Sequence, residues 1–340
     1  MSAAMIEVLS TVPFNDAQQG LLQKISPQLH FTIQAARRPD EVSNDLWART
    51  EVLYTDRILP APNLAPRLKW LQLHFTGIDF ASDSPLVRRP GMLTTHMSGA
   101  AVPQMAEYLL MMLMALGHRL PDAMINQQRA EWPRDRWERF SPRELRESTV
   151  GLVGYGSVNR ELARLLQGLN VTVLAAKRNA MDPRDRGYTI PGLGDPEGNC
   201  FTRLYPYQAL RSMLKECDFV VVTVPLTPES RGLIGAEELA AMKPSAYLIH
   251  GGRGGVVDQP ALLEVLQDRR IGGAALDVFS EEPLPPTSPF WKLPNVLITP
   301  HIGGISPNYL KRAVDLFAAN LARYIKGEPL YNLLDLEQGY

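Results

Sequence analysis

The stretch TVGLVGYGSVNRELARLLQGLNVTVLAAKR, residues 149–178, decides how the rest of the chain is read. An apolar run, TVGLV (149–153), ends in Gly154-Tyr155-Gly156-Ser157-Val158-Asn159. An amphipathic run follows and leads to a second apolar stretch, NVTVLA (170–175). That order predicts strand, tight turn, helix and strand. The first glycine permits the turn out of the strand. The second lets the backbone approach a pyrophosphate, whose charge would sit at the N-terminus of the helix beginning at Ser157. The third position of such a fingerprint should be small so that helix and strand pack closely, and here it is Asn159. A lone Gly-x-Gly is common in ordinary turns, so the reading as a dinucleotide site rests on the strands and helix around it.

At the end of the second strand, an NAD site usually places Asp or Glu on the ribose hydroxyls. This chain has Ala175-Ala176-Lys177-Arg178 instead. Two cations cannot accept those hydroxyls but can pair with a 2′-phosphate, through charge-assisted hydrogen bonds of roughly 1.5–3 kcal/mol each. NADP(H) is therefore expected over NAD(H), against the simpler reading of a solvated basic pair.

Outward from this unit the alternation continues. DFVVVTV (218–224), AYLIH (246–250), GAALDV (273–278) and NVLIT (295–299) bring the expected strands to six, the count of a full dinucleotide-binding sheet. Toward the N-terminus, MIEVL (5–9), LHFTI (29–33), EVLYT (51–55), LKWLQLH (68–74) and MLTTH (92–96) read as strands, with helices at 15–25 and 39–48. Strands alternating with helices imply parallel pairing and a second, smaller α/β domain. Between the two, a long helix is expected over 101–128, followed by a polar, proline-bearing stretch at 131–145. The final helix, 309–327, can return to the N-terminal domain and leave the dinucleotide domain as an insertion. One segment, 179–206, is rich in Gly, Pro and Asp and reads as a long loop.

Bulk properties agree with this division. A chain of 340 residues exceeds the size of most single cores, and 45% hydrophobic content is enough to build two. A formal net charge of −1 gives no electrostatic case for nucleic acid or an acidic membrane. Cys200 and Cys217 have no metal-ligand spacing and suggest no disulfide framework, so no metal and a reduced, cytoplasmic setting are expected. The start, MSAAMIEVLS, lacks the pattern of a signal peptide. The most apolar run, YLLMMLMAL (108–116), is far shorter than the roughly 20 residues of a membrane span.

Three polar residues follow three of the later strands: Arg253 in HGGRGG, Glu282 in FSEEP and His301 in TPHIGG. In open parallel sheets the ligand crevice lies beyond the carboxyl ends of the strands, so all three can reach one cleft. Each alone has an ordinary explanation, as a turn histidine or a surface charge. Together they match a chemistry. Hydride transfer to a ketone builds negative charge on the carbonyl oxygen, which a protonated imidazole relieves by giving up its proton. A carboxylate beside the imidazole holds its orientation and favours the charged form. A guanidinium binds a substrate carboxylate and carbonyl through its planar fork of donors.

From 149 to 304 the chain closely resembles the D-isomer-specific 2-hydroxyacid dehydrogenases. The matching stretches are TVGLVGYGSV (149–158), VVVTVPLTPESRGLIG (220–235), GGRGGVVDQPAL (251–262), GAALDVFSEEPL (273–284) and LPNVLITPHIGG (293–304). HFTGIDF (74–80) and SGAAVPQMAEYLL (98–110) match more loosely. The resemblance implies Arg253, Glu282 and His301 as the catalytic set, with the backbone of Thr76 and Gly77 near the substrate carboxylate. It puts Gly154, Gly156, Ser157 and Val158 at the pyrophosphate, Val224 near the adenosine half, and Gly251 and Asp277 near the nicotinamide. It makes the 101–128 helix part of a homodimer contact, its Met/Leu face (Leu109, Met112, Leu113, Leu116) suiting either an interface or intrachain packing. The family usually has Asn where His250 stands, and His250 reads as a structural substitute or a second titrating group. The expected fold is α/β. A Rossmann-type doubly wound parallel sheet domain (101–304) is inserted into a smaller flavodoxin-like substrate domain (1–100 plus 305–340).

The leading expectation is an enzyme that reduces a small 2-keto acid, such as glyoxylate or hydroxypyruvate, with NADPH. The rival is a dinucleotide-sensing binding protein, like the corepressors that share this fold. The complete catalytic set and near-neutral charge count against the rival.

Overall fold

The computed structural model describes residues 5–336, so the first four residues of the N-terminal segment considered above lie outside it. The chain forms two compact units, Met1–Ala101 with Ser306–Tyr340, and Val102–Ile305.

The first unit contains β1 (Ile6–Ser10), α1 (Asp16–Gln23), β2 (Leu29–Ile33), α2 (Asn44–Arg49), β3 (Val52–Thr55), β4 (Trp70–Leu73) and β5 (Leu93–Thr95). Its sheet is parallel in the order β2-β1-β3-β4-β5, which is the flavodoxin-like winding. Asn15 and Gln18 form a reciprocal capping box that starts α1. The helix expected over 39–48 is two pieces, a single turn at Pro39–Glu41 and then α2, because Ser43 is extended and caps the second piece. One face of the sheet buries Leu9, Leu53, Leu71 and Leu73 with Trp47.

The second unit runs α3 (Val102–Gly117), α4 (Leu120–Gln128), α5 (Arg136–Arg139), β6 (Thr149–Val153), α6 (Ser157–Gln167), β7 (Thr172–Lys177) and β8 (Arg203–Pro206). It continues through α7 (Leu210–Leu214), β9 (Phe219–Val222), α8 (Ala236–Ala241), β10 (Tyr247–His250), α9 (Gln259–Gln267), β11 (Gly273–Leu276) and β12 (Val296–Ile298). The parallel sheet has the order β12-β11-β10-β9-β6-β7-β8, the doubly wound arrangement with its reversal between β6 and β9. Alternate residues of β9 serve opposite faces. Val220 and Val222 pack with the α7–α9 side, while Phe219 and Val221 pack with α3 and α6. Both faces are covered, which is why these strands read as continuous apolar runs.

Two expectations change here. The helix over 101–128 breaks after Gly117, and Arg119 takes a left-handed φ of 52° before α4 begins. A Cβ on Gly117 would lie 2.6 Å from the Arg143 carbonyl oxygen, so glycine lets the 143 segment cross at the break. The 179–206 segment is not all loop, because Arg203–Pro206 adds a seventh strand against β7. A final helix, α10 (Tyr309–Lys326), returns to the first unit. There Phe317 packs against Tyr54 and Trp70 at centroid distances of 4.8 and 5.5 Å.

Candidate active site

The glycine turn has the geometry that its residues require. Gly154 has φ +88°, and a Cβ there would meet Val224 Cγ2 at 2.8 Å, so the turn needs glycine for both conformation and contact. Nothing lies within 4 Å of the Cβ position of Gly156, which leaves space over the start of α6. No side chain caps α6, and the N-terminus of a helix favours an anion. Asn159 substitutes for the usual small residue without opening the packing. It is fully buried, and its Nδ2 donates to the Gly154 carbonyl at 2.9 Å. An open turn, a helix N-terminus with no side-chain cap and a packed second layer fit a dinucleotide pyrophosphate, which Gly154, Gly156, Ser157 and Val158 would hold. Val224 is buried directly behind the turn.

Lys177 and Arg178 go different ways. Lys177 Nζ donates to the carbonyls of Asp182 and Arg184 at 2.8 and 3.1 Å, tying the start of the 179–206 excursion to the end of β7. Burial, and then the charge of Arg160, lower the Lys177 pKa. Arg178 instead pairs with Glu229 at 3.0 Å.

The three polar residues that follow later strands occupy loops at the carboxyl end of this one sheet. His301 Nδ1 lies 2.7 Å from Glu282 Oε2, and Glu282 Oε1 accepts the Phe279 N–H at 2.9 Å. Since the carboxylate only accepts, His301 carries its hydrogen on Nδ1 and turns Nε2 away from Glu282. The backbone of His301 is left-handed, φ 54°, and its N–H donates to the Asp277 carbonyl at 2.9 Å. A strained conformation at such a residue is one that its surroundings must hold in place.

Asp277 does that holding. It is 2% exposed, and its carboxylate accepts the N–H groups of Ile302 and Gly303 and the Thr299 hydroxyl, at 2.9, 2.9 and 2.6 Å. The Tyr108 hydroxyl from α3 reaches Thr299 at 2.6 Å. Because Thr299 already donates to Asp277, Tyr108 is the donor of that bond, and burial holds its phenol well above the ordinary range. Thr299 and Tyr108 were not identified from sequence. Their only signal was adjacency to a strand end and a place on an apolar helix.

Arg253 follows β10, with Gly251 and Gly252 before it and Gly254 and Gly255 after it. A Cβ on Gly254 would lie 2.0 Å from the Phe279 carbonyl carbon, so the arginine loop and the Glu282 loop are in direct backbone contact. His250 is buried beneath, with Nε2 3.0 Å from the Arg253 carbonyl oxygen. Thr76, exposed, and Gly77, half-buried, follow β4 in the first unit.

A family model for the D-isomer specific 2-hydroxyacid dehydrogenase, NAD binding domain, matches residues 110–303. A glyoxylate reductase of Thermofilum pendens is 34% identical over 279 residues, 81% of this chain and 78% of that one. Among solved structures, a D-isomer specific 2-hydroxyacid dehydrogenase from Xanthobacter autotrophicus Py2, in complex with NADPH and MES, has 28% identity and a TM-score of 0.80. That match covers 99% of this chain and 100% of that one. An NADPH-dependent glyoxylate/hydroxypyruvate reductase from Sinorhizobium meliloti, in complex with NADP and sulfate, has 25% identity and a TM-score of 0.78, covering 98% and 100%.

Proposed function

The chain belongs to the D-isomer specific 2-hydroxyacid dehydrogenase family, and from that premise we propose that it reduces a small 2-keto acid of the glyoxylate or hydroxypyruvate kind with NADPH. The observation that carries this reading is the His301–Glu282 pair at 2.7 Å beside the Arg253 loop. The nicotinamide supplies the hydride when bound. His301, its Nδ1–H given to Glu282, presents Nε2 to the substrate and delivers the proton to the carbonyl oxygen as negative charge grows there. Arg253 binds the substrate carboxylate and carbonyl through its guanidinium. Asp277 and Gly251 would hold the nicotinamide end. At 44% and 37% side-chain exposure, His301 and Glu282 are open enough to meet a small substrate.

Preference for NADPH is supported by Arg178, a cation at the end of β7 where an acid would favour NADH. The Xanthobacter autotrophicus relative in complex with NADPH and the Sinorhizobium meliloti reductase in complex with NADP support it.

A homodimer is the proposed assembly. The Leu109, Met112, Leu113 and Leu116 face of α3 is buried within its own unit, so the contact falls to the opposite side. Met111 on α3 is 53% exposed, and Met124, Trp132 and Trp137 in the segments that follow are 46, 85 and 78% exposed. Exposed aromatic and Met side chains of this kind support an interface here. Light scattering should give twice the chain mass of 37.9 kDa, and replacing Trp132 and Met111 with Glu should give the monomer.

The direct test is a panel of 2-keto acids, with NADH and NADPH in parallel. Oxidation of NADPH by a small keto acid is expected. A folded protein that binds NADPH but turns over none of them would overturn the proposal and favour the sensing protein.

A further inference from the structure

His250 stands at the end of β10, one residue before the four-glycine segment that carries Arg253. Glycines 251, 252, 254 and 255 have no side chains with which to fix that segment. Backbone bonds hold part of it: Gly251 N–H to the Val222 carbonyl, and Val256 N–H to the Arg253 carbonyl at 2.9 Å. From the sheet side the imidazole of His250 reaches the arginine's own peptide, with Nε2 3.0 Å from the Arg253 oxygen.

A carbonyl only accepts, so Nε2 carries the hydrogen and Nδ1 is a bare acceptor. Nδ1 is buried and makes no hydrogen bond among the described residues. A proton added there would put a charge in a buried place, and burial accordingly pushes the His250 pKa down to about 4. The carbonyls of Val222 and Arg253 and the carboxylates of Asp277 and Glu282 oppose that shift only in part. His250 is therefore neutral at working pH and is no proton donor in the reaction. Its remaining chemistry is the one hydrogen bond it gives.

We infer that His250 is a positioning residue for substrate binding: its Nε2–H sets the Arg253 peptide, and through it the direction of the guanidinium. The inference rests on the reading of Arg253 as the substrate-carboxylate ligand. It also distinguishes this chain by reach. An imidazole delivers its Nε2–H about as far from the backbone as a glutamine amide does, and farther than an asparagine amide. Glutamine, not asparagine, is thus the replacement that preserves the bond.

The test compares His250→Gln, His250→Asn and His250→Leu in the full chain, with glyoxylate and NADPH. Expected for Asn and Leu is a KM for glyoxylate raised about tenfold or more, with the NADPH Kd by fluorescence within about threefold. Gln should restore KM to within about threefold. A role in stability alone would lower the melting temperature and weaken NADPH binding together, with no rescue by Gln. That pattern overturns the inference, as does an unchanged KM in His250→Leu. Arg253→Gln separates the two layers. If it leaves KM unchanged, the reading of Arg253 fails and the positioning role fails with it. If it raises KM while His250→Leu does not, the positioning role alone fails.

Discussion

His301 is held at φ 54° by bonds that converge on Asp277, and its ring is aimed by Glu282. Replacing it with glutamine removes the proposed proton donor but leaves a polar side chain of similar reach. His301→Gln should lower kcat by about 10²–10⁴ with the NADPH Kd nearly unchanged. Equal loss of cofactor binding would mean that the histidine shapes the loop and does not do the chemistry. The two basic residues at the end of β7, Lys177 and Arg178, make a second contrast. Arg178→Ala should weaken NADPH about tenfold and leave NADH unaffected if the proposed charge-assisted contact to a 2′-phosphate is made by this guanidinium. Lys177→Ala should act differently, because that ammonium is bonded to the Asp182 and Arg184 carbonyls. Faster trypsin cleavage within 179–206 is its expected signature.

At the scale of elements, the 179–206 excursion is a clamped structure. Arg160, 2% exposed on α6, donates to the carbonyls of Asp195 and Pro183 at 2.5 and 2.6 Å, with its guanidinium 4.7 Å from the Tyr155 ring. Tyr155, the middle residue of the glycine turn, donates to Asp195 at 2.6 Å. Asp195 also accepts the N–H groups of Gly198, Asn199 and Cys200. One carboxylate thus joins the glycine turn to the far end of the excursion. Asp195→Ala leaves the Tyr155 phenol and the N–H groups of Asn199 and Cys200 without their acceptor and should destabilise the fold by about 2–4 kcal/mol. Urea denaturation measures the loss, and proteolysis should locate it in this segment. Sequence reading missed the clamp because it joins residues dozens of positions apart. It missed β8 for a related reason: RLYP is four residues ending in proline, and only pairing with β7 makes it a strand. The other strands of this sheet were legible, since burial on both faces writes them as apolar runs.

Across the whole molecule, three histidines are kept neutral by burial. His74, His96 and His250 all have pKa values lowered to about 4. The unfolded chain binds protons at these positions below about pH 6.5, and the folded chain does not until about pH 4. Stability should therefore be full above pH 7 and fall as pH drops from 6.5 toward 4. The slope is up to about 1.4 kcal/mol per pH unit for each histidine. Melting temperatures at pH 7.5, 6 and 5 check the sign, and a flat profile would show that these rings are protonated in the fold.

Sequence alone determined the alternation of strand and helix, the glycine turn, and the three polar residues placed just after strands. All of these are written in neighbouring residues, as burial pattern or backbone freedom. Tertiary structure decided what each side chain meets. It turned Lys177 toward the excursion and Arg178 toward Glu229, and it made Asp277 the anchor of the His301 loop. It buried the Met/Leu face of α3 within its own unit and set His250 under the Arg253 peptide. Hydrogen bonds and burial depend on neighbours in space, and the fold brings those neighbours from distant parts of the chain. The glycine turn at 154–156 shows both halves: its backbone was readable at once, but the carboxylate that steadies it lies forty residues away in Asp195.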